Sequence, residues 1–481
     1  MKNPRPSTAA TDCVTGAPPM NTSPFDPLRA TFGDRLLTAG AELSRFDRDA
    51  ISEEGYSGTP DAVVYPESTD EVVELVNFAR ERRIPLVPRG GGSGLSGGAV
   101  PVAGGIVVAM ERMNRVIEID TANLAAVLEP GVVTKELDSM LVPHGLFFAG
   151  YPMSEEICQI GGNVAENAGG GRAVKYGVTG DYVLGLEVVT AAGKVLRLGG
   201  RRVKDVTGYD LIGLFVGSEG TLGIVTQVSL RLLPRPAARA VALGFLADET
   251  RLAEVTPALL ALPARPSAVE FADAACMRLL SSLSTQWRWI PSGTAMLLVE
   301  LDGPDPDRVA SERDEAAGLM ESLGVVEISR SRTDADYEKL WLLRKQVPWA
   351  LMKKSPHQTM EDITVPVAGT WPLIAGTRET SRRRGVEIAN FGHLGDGNIH
   401  VTPLKPDELE VEQWHAVLPD LQTELYRLAA SLGGTISGEH GIGHKRRAFL
   451  PLVLGEAELE TMRAVKQALD PLGIMNPGKA V

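Results

Sequence analysis

The chain has 481 residues, 44% of them hydrophobic, with 48 Lys and Arg against 61 Asp and Glu for a net charge of −13. This length calls for two or three domains, the acidic balance argues against a nucleic-acid partner, and no apolar run reaches the roughly 18 to 20 residues of a transmembrane segment. Three widely spaced cysteines, Cys13, Cys158 and Cys276, form no CxxC pair, which argues against a thiolate zinc site, an iron–sulfur cluster or a disulfide framework and fits a reducing compartment.

Residues 1–27 are rich in Pro, Ser and Thr and lack the apolar core of a signal peptide, so a disordered leader is expected, with Met20 an alternative start. A cytoplasmic location is expected, with any membrane contact peripheral, or a mitochondrial one if the source is eukaryotic, although Asp12 and only two basic residues weaken a transit peptide. Residues 28–55 read as a mixed-charge helix. From residue 60 the pattern is strand, helix and strand, the helix spanning about 69–81 with Ser68 as N-cap and Asp70 and Glu71 in its first turn. Gly-punctuated strand patterns follow, with "AAGK" a hairpin turn between "LEVVT" and "VLRLG". These elements make an α+β domain over 28–237. Helical "DPDRVASERDEAAGLMESLG" and strand-like "TAMLLVELDG" begin a second α+β domain over 238–455, and 456–481 is a C-terminal helix and loop.

Three glycine-rich stretches lie in the first domain: "RGGGSGLSGG", "YPMSEEICQIGGNVAENAGGGRAVKYGVTGDYV" and "FVGSEGTLGIV". The first contains GxGxxG, but "AVPVAGGIVVAM" follows it and no helix, so a Rossmann reading fails on context. Successive unobstructed backbone N–H groups can still nest a pyrophosphate, with Arg89 adjacent to balance its charge. Three such loops in one domain point to a dinucleotide-sized ligand.

Of seven histidines, two flank "HLGDGNIH" at 393–400. An Asp396-Gly397 turn would pair His393 with His400 on one face, Cβ atoms roughly 5 Å apart, and turn Leu394 and Ile399 the other way. Two imidazoles so placed can share a metal ion. "GGTISGEHGIGHKRR" offers Glu439, His440 and His444 as further donors. Two histidines and a carboxylate suit Zn2+, Mn2+ or Fe2+, with Zn2+ the first choice.

The stretches "PRGGGSGLSGGA", "IGGNVAENAGG", "YGVTGDYVLGLEVV", "VGSEGTLGIVT", "GHLGDGNIH", "SGEHGIG" and "NPGK" occur in an order that resembles the FAD-linked D-2-hydroxyacid dehydrogenases, of the D-lactate dehydrogenase and glycolate oxidase FAD-subunit type. These belong to the vanillyl-alcohol oxidase and p-cresol methylhydroxylase flavoprotein superfamily. The resemblance runs from about residue 50 to the end. It implies a two-part FAD-binding domain of the p-cresol methylhydroxylase type with a substrate (cap) domain, the C-terminal loop returning to the FAD domain. It places the FAD pyrophosphate along Arg89, Gly90, Gly91, Gly92, Ser93, Gly94, Leu95 and Ser96, with further contacts from Pro152, Gly161, Gly162, Asn167, Gly169, Tyr176, Ile224 and Asn476. Several relatives hold flavin covalently through a histidine in the first loop; Ser93 and no histidine stand here, so non-covalent FAD is expected. The resemblance assigns His393, His400 and Glu439 as metal ligands, His440 as general base and Arg344, after "LW", as the cation for a substrate carboxylate. His444 is expected at the surface or behind the ligands.

The implied reaction oxidises a 2-hydroxy acid to the 2-oxo acid. A bound metal would acidify the hydroxyl, as it lowers the pKa of water from about 15.7 to about 7, bringing it within reach of an imidazole base. Relatives acting on D-2-hydroxyglutarate carry a lysine where Met360 stands, which favours a monocarboxylate such as D-lactate or glycolate, or a larger hydrophobic acid. Trp349 is a candidate pocket or core residue. With no cluster or haem motif, electrons must leave for a quinone, cytochrome, electron-transfer flavoprotein or iron–sulfur subunit. The rival readings are a D-2-hydroxyglutarate dehydrogenase, a flavin oxidase forming H2O2, and a non-catalytic FAD subunit.

Overall fold

The computed structural model describes residues 23–50 and 56–481. Most of the expected leader therefore lies outside the described residues. Its last part does not behave as a leader: Phe25 is buried with Leu28, Phe32 and Leu36 against the first sheet. Nor is 28–50 one helix. It is a run of short turns, Asp26–Leu28, Arg29–Phe32, Gly33–Arg35 and Ala41–Phe46, broken at Gly33 and Gly40, whose φ values of 49° and 102° lie outside the helical well.

Three sheets carry the molecule. The first has strands β1 (Leu36–Leu37), β2 (Ala62–Val64), β3 (Leu86–Arg89) and β4 (Ile106–Ala109) in the order β1-β2-β4-β3, with β2 and β3 parallel to β4. Parallel neighbours need a crossover, and helix α1 (Thr69–Arg82) supplies it. Ser68 caps it by accepting from the Glu71 N–H, a contact worth about 1 kcal/mol. Val72, Leu75, Val76 and Ala79, spaced at helical period, are fully buried against the sheet.

The second sheet is antiparallel: β5 (Val116–Asp120), β6 (Ala125–Leu128), β7 (Val183–Thr190), β8 (Val195–Gly199) and β9 (Gly223–Arg231), in the order β5-β6-β9-β7-β8. The expected "AAGK" hairpin joins β7 to β8, with Gly193 at φ 71°. Helix α2 (Ile160–Glu166) packs Ile160 and Val164 into the core of this sheet.

The third sheet forms the second half: β10 (Ala238–Leu246), β11 (Ala268–Ala272), β12 (Ala295–Gly303), β13 (Val326–Arg330), β14 (Glu361–Thr364), β15 (Ile388–His393) and β16 (Asn398–Pro403), all antiparallel, in the order β13-β10-β12-β11-β15-β16-β14. Alternation along β12 shows why the sheet is buried on both faces. Leu297, Val299 and Leu301 join one apolar cluster and Met296 and Leu298 the other. Helices α3 (Pro306–Ser322) and α5 (Val411–Ser431) cover the first face, and α4 (Asp334–Lys345) covers the second.

Buried ion pairs join the halves. Arg172 donates through Nε to Glu300 Oε1 at 2.9 Å, and Lys175 pairs with Asp302. After helix α6 (Glu456–Leu469) the chain returns to the first sheet, where Leu86 N donates to Ile474 O and Asn476 N to Leu86 O, both at 2.8 Å. Among the described residues no helix is long and apolar enough to cross a membrane.

Candidate active site

All three glycine-rich stretches reach one cavity of about 470 Å³. Gly90, Gly91, Gly92, Ser93, Gly94 and Leu95 line it from the loop after β3, Pro152, Gly162 and Gly169 from the second stretch, and Glu219 and Gly220 from the third. The backbone explains two of the glycines. A Cβ on Gly91 would stand 2.2 Å from Ile157 O, so only glycine permits that close approach. At Gly162, in the first turn of α2, a Cβ would meet nothing within 4 Å. No protein neighbour accounts for that opening, which is what a cradle for a ligand looks like at a helix N-terminus.

Other residues expected around the cofactor take different roles. The Arg89 guanidinium turns from the cavity and donates to the carbonyls of Arg48 at 2.7 Å and Ala99 at 3.4 Å, over the Phe46 ring. It ties loops together rather than balancing a phosphate. Ser96 is fully buried and its carbonyl accepts from His444 N and Lys445 N. Asn167 adopts φ 53° at the end of α2 and accepts from Gly180 N at 2.8 Å. Tyr176 donates to Asp302 Oδ2 at 2.7 Å, across the domain boundary. Asn476 donates to the carbonyls of Gly98 and Glu219. Gly161 and Ile224 line a small neighbouring hollow of about 50 Å³.

The opposite wall comes from the third sheet. The "HLGDGNIH" hairpin does not have the two-residue turn that Asp-Gly suggests. His393 pairs with Asn398, Gly392 with Ile399 and Phe391 with His400, which leaves residues 394–397 as the loop. The loop's backbone bonds its neighbours as well as itself: Gly395 N donates to Val269 O and Val365 N to Gly397 O, while Asp396 N donates to His393 O at 3.4 Å. The two-residue slip keeps every side chain on its expected face. Leu394 and Ile399 enter the apolar core, while His393 and His400 become diagonal neighbours with ring centroids 5.3 Å apart.

Glu439 Oε1 sits among three imidazoles, 3.3 Å from His393 Nε2, 3.4 Å from His400 Nε2 and 3.5 Å from His440 Nε2. His400 and His440 stack with centroids 5.0 Å apart. All four residues line the cavity. Asp362, which sequence reasoning did not single out, anchors the base of the cluster. Its Oδ2 accepts from the Ser437 hydroxyl and from the backbone N–H of Gly438, Glu439 and His440, at 2.8 to 2.9 Å. Asp362, His400, Glu439 and His440 each offer a ligand atom within 4.8 Å of one another. Because Asp362 Oδ2 is already occupied and Oδ1 accepts from Asn398, Asp362 orients the donors from behind.

A second unforeseen carboxylate, Glu270 on β11, joins the histidines to Arg344. Its Oε1 lies 2.7 Å from His393 Nδ1 and its Oε2 2.7 Å from Arg344 Nε. Arg344 is 2% exposed and lines the cavity with its guanidinium over the Phe391 ring, so it is not a surface helix arginine. No sequence signal marks Glu270 or Asp362: each becomes a neighbour of the histidines only through sheet pairing. Met360 lines the cavity as well. Trp349 does not. It is 46% exposed beneath Lys353, which corrects its assignment to pocket or core. Lys345 also reaches the cavity, while His444 is partly buried with Nδ1 3.1 Å from Gly478 O.

Burial dominates the electrostatics. It would lower the His393 pKa, but Glu270 and Glu439 raise it well above its ordinary value. It pushes His400 down to about 3, with the charge of His440 adding. Burial alone would raise Glu439 and Asp362. His393 holds Glu439 well below the usual carboxylate range, and His440 with Arg446 does the same for Asp362. An ionised Glu439 thus faces imidazole nitrogens inside one cavity, with an ionised Asp362 behind them, a donor set that fits a divalent cation of the zinc, manganese or iron kind. The glycine cradle beside it fits a dinucleotide.

Comparison with known proteins points to FAD for the cradle. Residues 235–480 match the family described as FAD linked oxidases, C-terminal domain, and residues 60–199 match the FAD binding domain family. The chain is 38% identical to glycolate oxidase subunit GlcD of Bacillus subtilis over 88% of this chain and 89% of that protein. It is 38% identical to D-lactate dehydrogenase of Archaeoglobus fulgidus over 87% and 91%. It is 31% identical to D-2-hydroxyglutarate dehydrogenase of Stutzerimonas stutzeri over 92% and 96%. Among solved structures, p-cresol methylhydroxylase with substrate bound superposes with a TM-score of 0.77 at 20% identity, over 95% of this chain and 96% of that one.

Proposed function

The chain belongs to the FAD-linked oxidase family, and from that premise we propose that it oxidises a D-2-hydroxy acid, a monocarboxylate of the D-lactate or glycolate kind, to the 2-oxo acid with the help of a divalent metal. The observation that carries this reading is that one cavity joins the glycine cradle, the three-histidine cluster around Glu439 and the buried guanidinium of Arg344.

FAD, held without a covalent bond, supplies the acceptor for the hydrogen on the substrate's α-carbon. A cation held by His393, His400 and Glu439, Zn2+ first among candidates, supplies Lewis-acid polarisation of the substrate hydroxyl. The residues do the rest. Arg344 binds the carboxylate, its orientation fixed by Glu270 and the Phe391 ring. His440 takes the hydroxyl proton, with its backbone N–H pinned to Asp362 at 2.8 Å and its ring stacked on His400. Met360 supports the monocarboxylate preference: it puts an apolar side chain on the cavity wall where a second carboxylate would need a cation. Electrons then pass to an acceptor outside this chain, a quinone, a cytochrome, an electron-transfer flavoprotein or an iron–sulfur subunit.

Anaerobic titration of the flavin-loaded protein with D-lactate, L-lactate, glycolate, D-mandelate and D-2-hydroxyglutarate tests the proposal. Bleaching of the flavin band by D-lactate or glycolate is expected. Bleaching by D-2-hydroxyglutarate alone moves the substrate to a dicarboxylate, and bleaching by L-lactate alone refutes the stereochemistry.

A further inference from the structure

The same cavity wall bears two carboxyl groups that the reaction above does not use. Glu166 ends α2 and Glu219 lies in the turn before β9, and both line the cavity. Glu219 is held as a carboxylate: Oε1 accepts from Ile442 N at 2.8 Å and Oε2 from Gly443 N at 2.7 Å. Glu166 has no such fixing, for its enclosed Oε2 meets no hydrogen-bond partner. Its carboxyl sits between two glycines. A Cβ on Gly98 would lie 2.7 Å from Oε1 and one on Gly441 only 1.9 Å from Oε2. The same point at Gly441 is 3.3 Å from Glu219 Oε1, so the two carboxyls are close neighbours. Asp49 adds a third negative charge from the first loop's side, against Arg446 and Lys479.

Two neighbouring carboxyls, one buried and one partly so, disfavour each other's ionised form. Burial pushes both upward, but two backbone N–H donors favour the ionised form of Glu219, which leaves the proton with Glu166; Glu219 and Asp49 raise Glu166 further. FAD is an anion overall, rich in carbonyl, hydroxyl and phosphate acceptors, and a second bare carboxylate would repel it. We propose that Glu166 is a cofactor-binding residue whose carboxyl donates, rather than accepts, a hydrogen bond to the bound flavin. The inference rests on the cavity being the FAD site, and it adds to the glycine loops a side-chain contact that works only while it carries a proton.

The test is release of FAD from the holoenzyme, read by the fluorescence of free flavin on dilution between about pH 6 and pH 9. Wild type is expected to hold FAD at least about tenfold less tightly at the upper end, because ionisation removes the donor and adds a charge. Glu166→Gln keeps a donor and cannot ionise, so it is expected to hold FAD as wild type does near pH 6 and to lose most of the slope. Lys479, pushed down to about 8 by burial, titrates in the same window, and its share of the slope persists in the variant. An unchanged slope in Glu166→Gln overturns the proposal. So does a wild-type affinity that is constant or rises with pH, a result that needs no variant to fold. Wild type that holds no FAD at any pH overturns the FAD assignment itself.

Discussion

His393 stands diagonally across its hairpin from His400, with ring centroids 5.3 Å apart, and both direct Nε2 toward Glu439. The four-residue loop between them bonds both within itself, Asp396 N to His393 O, and outward to Val269 and Val365. Glu270 Oε1 lies 2.7 Å behind His393 Nδ1, the arrangement by which a carboxylate fixes the tautomer and direction of a metal-binding imidazole, while Asp362 stands 3.7 Å from His400 Nδ1.

His393→Ala is expected to lower bound metal at least about tenfold while leaving bound FAD unchanged, because it removes a donor and not the cradle. Elemental analysis alongside flavin absorbance checks both. Both His393→Ala and chelation of the wild-type metal are expected to slow anaerobic flavin reduction by the substrate.

His440→Asn keeps a polar side chain on a backbone that Asp362 still holds. It is expected to retain FAD and metal and to slow anaerobic flavin reduction about 100-fold or more, the usual scale for a lost general base. Reduction at the wild-type rate in stopped flow removes His440 from that role.

Gly162→Ala gives opposite signs for folding and binding. In a helix, Ala is favoured over Gly by about 0.5 to 1 kcal/mol, and the new methyl meets no protein atom. The FAD-free protein is expected to melt slightly higher while FAD binds more weakly. Thermal melts with and without FAD separate the two effects.

Arg344→Lys keeps the charge but loses the fork and the stacking on Phe391. A rise in the substrate concentration for half-maximal flavin reduction is expected, with metal and FAD unchanged. Glu270→Gln leaves the Arg344 charge unpaired in the interior and is expected to cost about 3 to 5 kcal/mol of stability, read by chemical denaturation.

Glu300 sets an acid limit. Burial would raise it, but Arg172 and its hydrogen bonds hold it down to about 2, against an ordinary 4.5. A carboxyl whose pKa is lower in the folded state contributes stability above its unfolded pKa and loses it as pH falls through the folded one. The contribution, on the order of 3 kcal/mol, should therefore vanish between about pH 4.5 and 2. Denaturation midpoints across that range are expected to fall more steeply for wild type than for Glu300→Gln.

Much of this molecule was legible in its sequence because the signals are local. Ser68 and the apolar spacing after it marked α1, "AAGK" marked the β7–β8 turn, and the glycine-rich stretches marked the loops that line the cavity. Helical period, turn chemistry and unobstructed backbone are properties of neighbouring residues. The misreadings share the opposite cause. Residues 28–50 have a helical composition, yet strand β1 is drawn out of them by pairing with β2. Arg89 sits in a motif that suggests cofactor contact, but its guanidinium turns away and ties distant loops together.

The sequence by itself pointed to the family, the cradle loops and the candidate donors His393, His400, Glu439 and His440, the loops through residue type and spacing and the roles through the resemblance of the motifs. The tertiary structure alone decided how they meet. Register between separate strands set the diagonal of the two imidazoles, brought Glu270 and Asp362 behind them and buried Arg344 beside Glu270. It also set Glu166 against Glu219 on the cavity wall. Apart from the two imidazoles of one hairpin, those relations join residues well separated along the chain, and burial together with neighbouring charge, which no local pattern encodes, fixes their protonation.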